Sequence, residues 1–269
     1  MSVLSSAWRD RLLRGVGVLV LAFLWFPLLV MVLLSFGSNA YATFPMGDAT
    51  LQWYEAALAD TQLLRSILNT LVVASVSAVL ATALGLLGAM ALVRREFPFK
   101  PGFRILVIVP MIIPGVVLGI ALLVLFQTLA SSLLSLATII IAHALYVMPF
   151  ALLTISSQLY GFDEEMEEAG RDLGASRLEV LKTVTLPQLA PSIAAGGLLA
   201  FIRSFSEFIR AYFVSGGETV FTIQVWAMLN HELTPKINAI STLVMFGLIG
   251  VLLLAYRFGS ETMTEQLYG

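Results

Sequence analysis

The stretch DEEMEEAGRDLGASRLEVLKTVTLPQLAP, Asp163 to Pro191, decides how the rest of this chain is read. It gathers Asp163, Glu164, Glu165, Glu167, Glu168, Asp172 and Glu179, seven of the 17 acidic residues, in a chain that is 59 % hydrophobic and 12 % charged. Read locally, it is two short helices at an angle. Asp163 can cap the first, and the acids after it favour the positive end of the helix dipole. Met166, Ala169, Gly170 and Leu173 fall at i, i+3, i+4 and i+7, a narrow apolar stripe on a charged helix. Gly174 stands where a left-handed C-cap is needed. Ser176 and Glu179, in SRLE, form the capping-box pattern that restarts a helix. Pro187 marks the start of the next element. The product is a helix–glycine–helix elbow over 163–187 with one side too apolar to be left bare. Small residues at Ala169 and Gly170 suit close docking by a partner; the other reading is an amphipathic loop on the lipid headgroups. A headgroup-binding helix favours Lys and Arg on its polar face, and this one is acidic.

Outside the elbow the chain is greasy. Its mean hydropathy is +0.93, whereas soluble domains carry about 25 % charged residues. A spanning helix needs about 20 mostly apolar residues. Segments 16–36, 67–93, 104–128, 132–158, 190–213 and 239–257 meet that standard. None shows the period-two alternation of a membrane barrel, so the fold class is an all-α membrane protein with six transmembrane helices, read as one domain over 1–269. The run Gly15–Phe36 exceeds a signal-peptide core of about 7–15 residues. It is therefore read as a retained span, with a cleaved signal ending near AYA (Ala40–Ala42) as the alternative.

Arg9, Arg11, Arg14, Arg94, Arg95, Lys100, Arg104, Arg171, Arg177, Lys182 and Arg257 fall on one side of these spans, against Arg65 and Lys236 on the other. The positive-inside rule then puts both termini and the elbow in the cytoplasm. Net charge is −2, which gives no reason to expect a nucleic-acid partner. There are no cysteines, which excludes disulfides and thiol chemistry. Neither a phosphate-cradling GxxxxGK[ST] loop nor a nucleophile–base set is present, so the chain supplies no ATPase and is not read as an enzyme.

Within the spans, Ser77, Ala81, Gly85 and Ala89 recur every four residues, a stripe that lets another backbone approach closely. Pro27, Pro110, Pro114 and Pro149 each remove a helix hydrogen bond. They are either ordinary irregularities or the bends of helices around a cavity that changes shape. Arg203, Glu207 and Arg210 lie at i, i+4 and i+7, one face of a helix. Charges at bilayer depth cost about 2.5–3.5 kcal/mol each on insertion scales. They form either an internal network that orients helices or part of a translocation path. His143 reads as a hydrogen-bond partner of a neighbouring helix, with transport as the alternative; Asn69, Gln127 and Tyr146 share that default. His231 and Glu232 lie in the outer loop without further ligands, so no metal site is expected.

The segment EAGRDLGASRLEVLKTVTLP, Glu168 to Pro187, resembles the cytoplasmic EAA signature of the permease subunits of type I ATP-binding-cassette (ABC) importers. Glu168, Ala169, Gly174, Leu186 and Pro187 are in register; Gly170 replaces the second alanine and Val184 an isoleucine. TFPMGDATLQWYEAAL (43–58), RREFPFK (94–100), VPMIIPGVVLGI (109–120), AFIRSFSEFIRAYFVSGG (200–217) and TPKINAISTLV (234–244) resemble the polyamine branch, which imports spermidine and putrescine. Where that branch commonly has an acid in its fifth span, this chain has Ser206.

The resemblance implies a coupling helix at the elbow, with Glu168, Ala169, Gly170, Gly174, Leu186 and Pro187 at the contact with a cytoplasmic ATPase. It implies two ATP-binding subunits carrying ATP and Mg, with no cofactor on this chain. A second, homologous permease chain, a periplasmic binding protein and the bacterial inner membrane complete the expectation. Arg203, Ser206, Glu207 and Arg210 are the candidate substrate path. The resemblance points to a polyamine-like solute; two arginines around one glutamate, with Ser206, point to a carboxylate- or phosphonate-bearing one. The alternatives are an ion-coupled secondary transporter, which calls for an inverted repeat not found here, and a membrane-anchored scaffold.

Overall fold

The computed structural model describes residues 6–129, 134–231 and 234–268. In order, its helices are α1 (Ser6–Leu34), α2 (Gln52–Ala59), α3 (Thr61–Arg94), α4 (Lys100–Ile112), α5 (Gly115–Leu129), α6 (Leu136–Tyr160), α7 (Glu165–Asp172) and α8 (Arg177–Val180). A π turn (Leu181–Thr185) leads into α9 (Leu186–Phe205), followed by α10 (Ile209–Val214), α11 (Phe221–His231) and α12 (Pro235–Tyr268). Among the described residues the only extended pairing is the bridge between Gly37 and Ala49.

Among the described residues, five segments are long and apolar enough to cross a membrane: Arg11–Leu34, Thr61–Arg94, Leu136–Tyr160, Arg177–Phe205 and Pro235–Leu253. The sixth expected span, 104–128, is not straight. It is the pair α4 and α5, bent by 105°. Pro114 explains the place of the break, because its ring pushes the preceding residue out of the helical region; Ile113 is extended, with φ −63° and ψ 132°. Between the expected spans, residues 37–66 and 214–238 contain the helices α2 and α11. The start of the expected fourth span at 132, the residues just before it from 130, and Glu232 lie outside the described residues.

The chain divides into two compact units, Met1–Leu64 with Val225–Gly269, and Arg65–Gln224. In the first, α2 and α1 both pack against α12. Gly37 is required where its chain turns back: a Cβ there would lie 2.8 Å from the Met46 carbonyl oxygen. Trp53 Nε1 donates to the Gly37 carbonyl at 2.8 Å. Asp60 accepts from the Leu63 amide at 3.0 Å, capping the first turn of α3, and from Lys236 Nζ at 2.5 Å. The Lys236 hydrogen bond is the main reason that the Asp60 carboxyl stays below its ordinary value.

In the second unit α6 is central, with its most extensive packing against α9. Ser77, Ala81, Gly85 and Ala89 are all buried, as a packing stripe should be. Backbones meet closely at α6. A Cβ on Gly85 would sit 2.9 Å from the Leu152 nitrogen, and one on Gly196 3.2 Å from Ala151 Cα. Ser77 Oγ donates to the Ile140 carbonyl at 3.0 Å, a polar link between α3 and α6. Apolar residues fill the remainder: Val73, Leu118, Ile139 and Ala211 in one cluster, and Leu92, Leu152, Ile155 and Leu189 in another. In lipid such contacts stabilise by close packing and not by removal from water.

Candidate functional site

The elbow is built by local hydrogen bonds. Asp163 Oδ1 accepts from the Glu165 amide at 3.0 Å, and α7 opens with Glu165, Glu167 and Glu168 in its first turn. It closes with a Schellman motif: the Gly174 amide donates to the Arg171 carbonyl at 2.9 Å and the Ala175 amide to that of Gly170 at 3.2 Å. Gly174 has φ +90°, and nothing lies within 4 Å of where a Cβ would stand. The glycine is needed for its backbone, not for space. The capping box follows, with the Ser176 amide donating to Glu179 Oε2 at 2.7 Å and the Glu179 amide to Ser176 Oγ at 3.3 Å.

From Arg177 the chain runs helically into the span, but through a π turn in which the Leu186 amide donates five residues back to Leu181. The next residue, Pro187, has no N–H to give. Met166, Ala169, Leu173 and Leu178 are exposed, Leu173 by 90 %. Glu168 and Pro187 are exposed too, and Leu186 is half-buried. Gly170, expected on the docking face with Ala169, is used inside the elbow: a Cβ there would lie 3.3 Å from Val180 Cγ2.

A residue that the sequence did not single out ties this elbow down. Glu167 Oε2 accepts from Arg94 Nη1 at 2.6 Å, and Oε1 from Thr185 Oγ1 at 2.5 Å. Arg171 Nε donates to the Glu167 carbonyl at 3.2 Å, and the Arg94 guanidinium lies 4.8 Å from the Phe162 ring centre. One carboxylate therefore joins the end of α3, the middle of α7 and the start of the fifth span. Burial alone would raise the Glu167 carboxyl. The hydrogen bonds from Arg94 and Thr185, with the charges of Arg94 and Arg171, outweigh it and hold the group below its ordinary value.

The fifth span is broken where its charges lie. The helix α9 ends at Phe205, and Ser206 has φ −90° and ψ 0°. Arg203, Glu207 and Arg210 therefore do not share the uninterrupted helix face that their spacing suggests. Glu207 sits in the break and serves α10: Oε1 accepts from the Arg210 amide at 3.1 Å and Oε2 from Arg210 Nη1 at 2.8 Å. Both side chains are less than a tenth exposed. The Arg210 guanidinium lies 3.7 Å from the ring centre of Tyr146, and that of Arg203 5.1 Å from Phe150, while the two rings meet edge-to-face at 5.6 Å. Arg203 and Ser206 are exposed, with Ser206 Oγ donating back to the Ile202 carbonyl at 3.0 Å.

His143 and Ser204 meet at 2.9 Å (Nδ1 to Oγ), the neighbouring-helix hydrogen bond expected of this histidine. Asn69 Nδ2 likewise donates across helices, to the Thr219 carbonyl at 3.0 Å. The two breaks converge, since a Cβ on Gly115 would lie 3.5 Å from Arg210 Nη1 and from Ile209 Cγ2. Irregular backbone at membrane depth is tolerated where protein or a watery cavity satisfies it. Glu207 does this directly, and Thr222 Oγ1 donates to its carbonyl at 3.0 Å.

Comparison with known proteins places this geometry. Residues 81–259 match the family described as binding-protein-dependent transport system inner membrane component. The chain is 34 % identical over 258 residues to the putrescine transport system permease protein PotI of Escherichia coli (strain K12), covering 93 % of this chain and 90 % of that one. It is also 34 % identical over 238 residues to the spermidine/putrescine transport system permease protein PotC of the same strain, covering 87 % and 89 %. Among solved structures, a bacterial ABC transporter involved in the import of the acidic polysaccharide alginate superposes over 96 % of this chain and 99 % of its own, with a TM-score of 0.71 at 19 % identity. That likeness concerns the fold.

Proposed function

This chain belongs to the family of binding-protein-dependent transport system inner membrane components, and on that premise we propose how it is driven and what it carries. It is a multi-span permease subunit of an ABC importer, it works with an ATPase and a substrate-binding protein, and ATP is hydrolysed on a separate subunit. In our reading two such ATPases, each with ATP and Mg, grip the elbow of this chain and that of a second, homologous permease chain. The exposed row Met166, Ala169, Leu173 and Leu178 carries this reading, because large apolar side chains on an otherwise acidic helix pair call for a cover. Glu168, Gly174, Leu186 and Pro187 frame that surface, and Gly170 supports it from within. Both termini lie in the cytoplasm, as the distribution of Lys and Arg suggests.

The Arg94–Glu167–Thr185 clasp carries movement of the elbow to α3 and to the fifth span. The solute passes at the break, where Arg203, Ser206, Glu207 and Arg210 stand. It is of the polyamine class, and two observations support this beside the names of PotI and PotC. Glu207 places a carboxylate against Arg210, and the Tyr146 and Phe150 ring faces hold the guanidinium cations of Arg210 and Arg203. An alkylammonium suits the same faces. A second reading, a solute with a carboxylate or phosphonate, is favoured by the exposed Arg203 beside Ser206.

The test is ATP-driven uptake by proteoliposomes holding the permease pair with its ATPase and binding protein. Competition should distinguish putrescine from an aminophosphonate, and Ser206→Asp should increase putrescine transport several-fold. Competition by the aminophosphonate alone would replace the first reading with the second. Failure of any ATPase to co-purify with the chain in mild detergent would remove the coupling assignment altogether.

A further inference from the structure

Beside the elbow lies a cavity of ≈ 600 Å3 between the end of α3, α7 and the α8–π turn segment. Its charged lining is Arg94, Arg95, Arg171 and Arg177 against Glu164 and Glu167, an excess of two positive charges beside a segment that is acidic as a whole. Of the seven elbow acids only Glu164 and Glu167 reach it. Glu167 is spent on Arg94 and Thr185. Arg94 nevertheless keeps Nη2 buried without a partner. Arg95 and Arg177 make no ion pair among the described residues, and Arg171 uses Nε on a main-chain carbonyl. The rest of the lining is Met90 and Ala91, near the end of the membrane-spanning helix α3, with Val180, Leu181 and Thr185 of the α8–π turn segment.

We propose that this cavity binds a phosphate-bearing anion, either a lipid headgroup or free phosphate, between Arg95 on one side and Arg171 and Arg177 on the other. Guanidinium groups match phosphate oxygens two at a time, and basic pockets between spans on the cytoplasmic side suit anionic headgroups. The anion bridges the end of α3 and the start of α8. It adds a second tie, parallel to the Glu167 clasp, between the second span and the elbow. Transport coupling then depends on the anion available at the inner surface.

The experiment uses the full transporter, permease pair with ATPase, in nanodiscs of phosphatidylcholine with or without phosphatidylglycerol, and in phosphatidylcholine with added inorganic phosphate. Retained lipid is counted by native mass spectrometry. The double variant Arg95→Gln/Arg177→Gln is compared with the unaltered chain, and with Arg65→Gln outside the cavity. Each arginine at a membrane surface contributes about a fivefold preference, so phosphatidylglycerol retention should fall roughly 25-fold in the double variant and not in Arg65→Gln. Retention of phosphatidylglycerol that inorganic phosphate does not displace assigns the site to a headgroup. Displacement, with protection of the phosphatidylcholine sample by phosphate alone, assigns it to the free anion. Equal retention of both lipids with no phosphate effect overturns the proposal. Unchanged retention in a double variant that still co-elutes with the ATPase overturns it equally.

Discussion

Two arginine–glutamate pairs in this chain look alike in isolation and differ in what they join. Arg94–Glu167 meets at 2.6 Å with Phe162 beside the guanidinium; Arg210–Glu207 meets at 2.8 Å with Tyr146 beside it. The first spans 73 residues and ties three elements, partly open to solvent at 17 % and 13 % exposure. The second spans three residues, is nearly closed off at 6 % and 9 %, and shapes one turn. A local pair can fix where a helix begins, whereas only a long-range pair can pass a displacement from one element to another. The buried pair at the break should therefore dominate stability and the pair at the elbow should dominate coupling.

The largest effect should come from Arg210→Met, which leaves the Glu207 carboxylate buried without its counter-charge. Breaking one partner of a buried pair costs about 3–5 kcal/mol, so the yield of folded protein and the thermal midpoint in detergent should both drop sharply. The double variant Glu207→Leu/Arg210→Met sharpens the comparison. It should recover most of that loss, since replacing both members of a buried pair is often near neutral. Recovered stability with recovered uptake would make the pair purely architectural; recovered stability without uptake puts it on the path.

Glu167→Gln should be milder in stability, about 1.5–3 kcal/mol for hydrogen bonds to a charged group, yet should lower uptake per ATP hydrolysed several-fold in proteoliposomes. Uptake that fell only in proportion to folded protein would erase the contrast drawn here. Gly174→Val acts through backbone strain alone, about 1–3 kcal/mol for an unfavourable φ, and should reduce ATPase docking in a pull-down while the spans stay folded.

Acidification separates the same clasp more gently. The Glu167 carboxyl is depressed below its ordinary value of 4.5, so its contribution is fully present above that value and is lost as pH falls through the folded-state value. The thermal midpoint should thus be insensitive to this group near neutrality and fall below about pH 4.5, with a smaller fall in Glu167→Gln. Identical acid profiles for the two chains would show that the clasp contributes nothing.

The elbow was legible because its determinants are local. Asp163, Gly174, Ser176 and Glu179 each act within five residues of chain, and their hydrogen bonds form as the sequence implies. The number of spans was legible from apolar length, with α4 and α5 counted as one. The breaks were not. Pro114 signals a bend without its size, and the 105° turn passes through a run with no change of polarity. The interruption at Ser206 was masked by the spacing of Arg203, Glu207 and Arg210, which copies a helical face that the backbone does not form. Glu167 was invisible for another reason. Its neighbours Glu164, Glu165 and Glu168 are chemically equivalent in sequence, and only the arrival of Arg94 and Thr185 distinguishes it.

The π turn at Leu181–Thr185 makes the chain unequally tolerant of length changes. Each residue of an α-helix advances the helix by about 100° and 1.5 Å, and a π turn holds one residue more than an α turn. Removal of Thr183 could relax that turn into ordinary α-helix and leave α8 and α9 facing as before. The same deletion at Ala194, inside α9, would rotate Arg203 and everything beyond it by about 100° about the axis of the span. The place where a residue can be lost without turning the fifth span is thus the short piece joining it to the elbow.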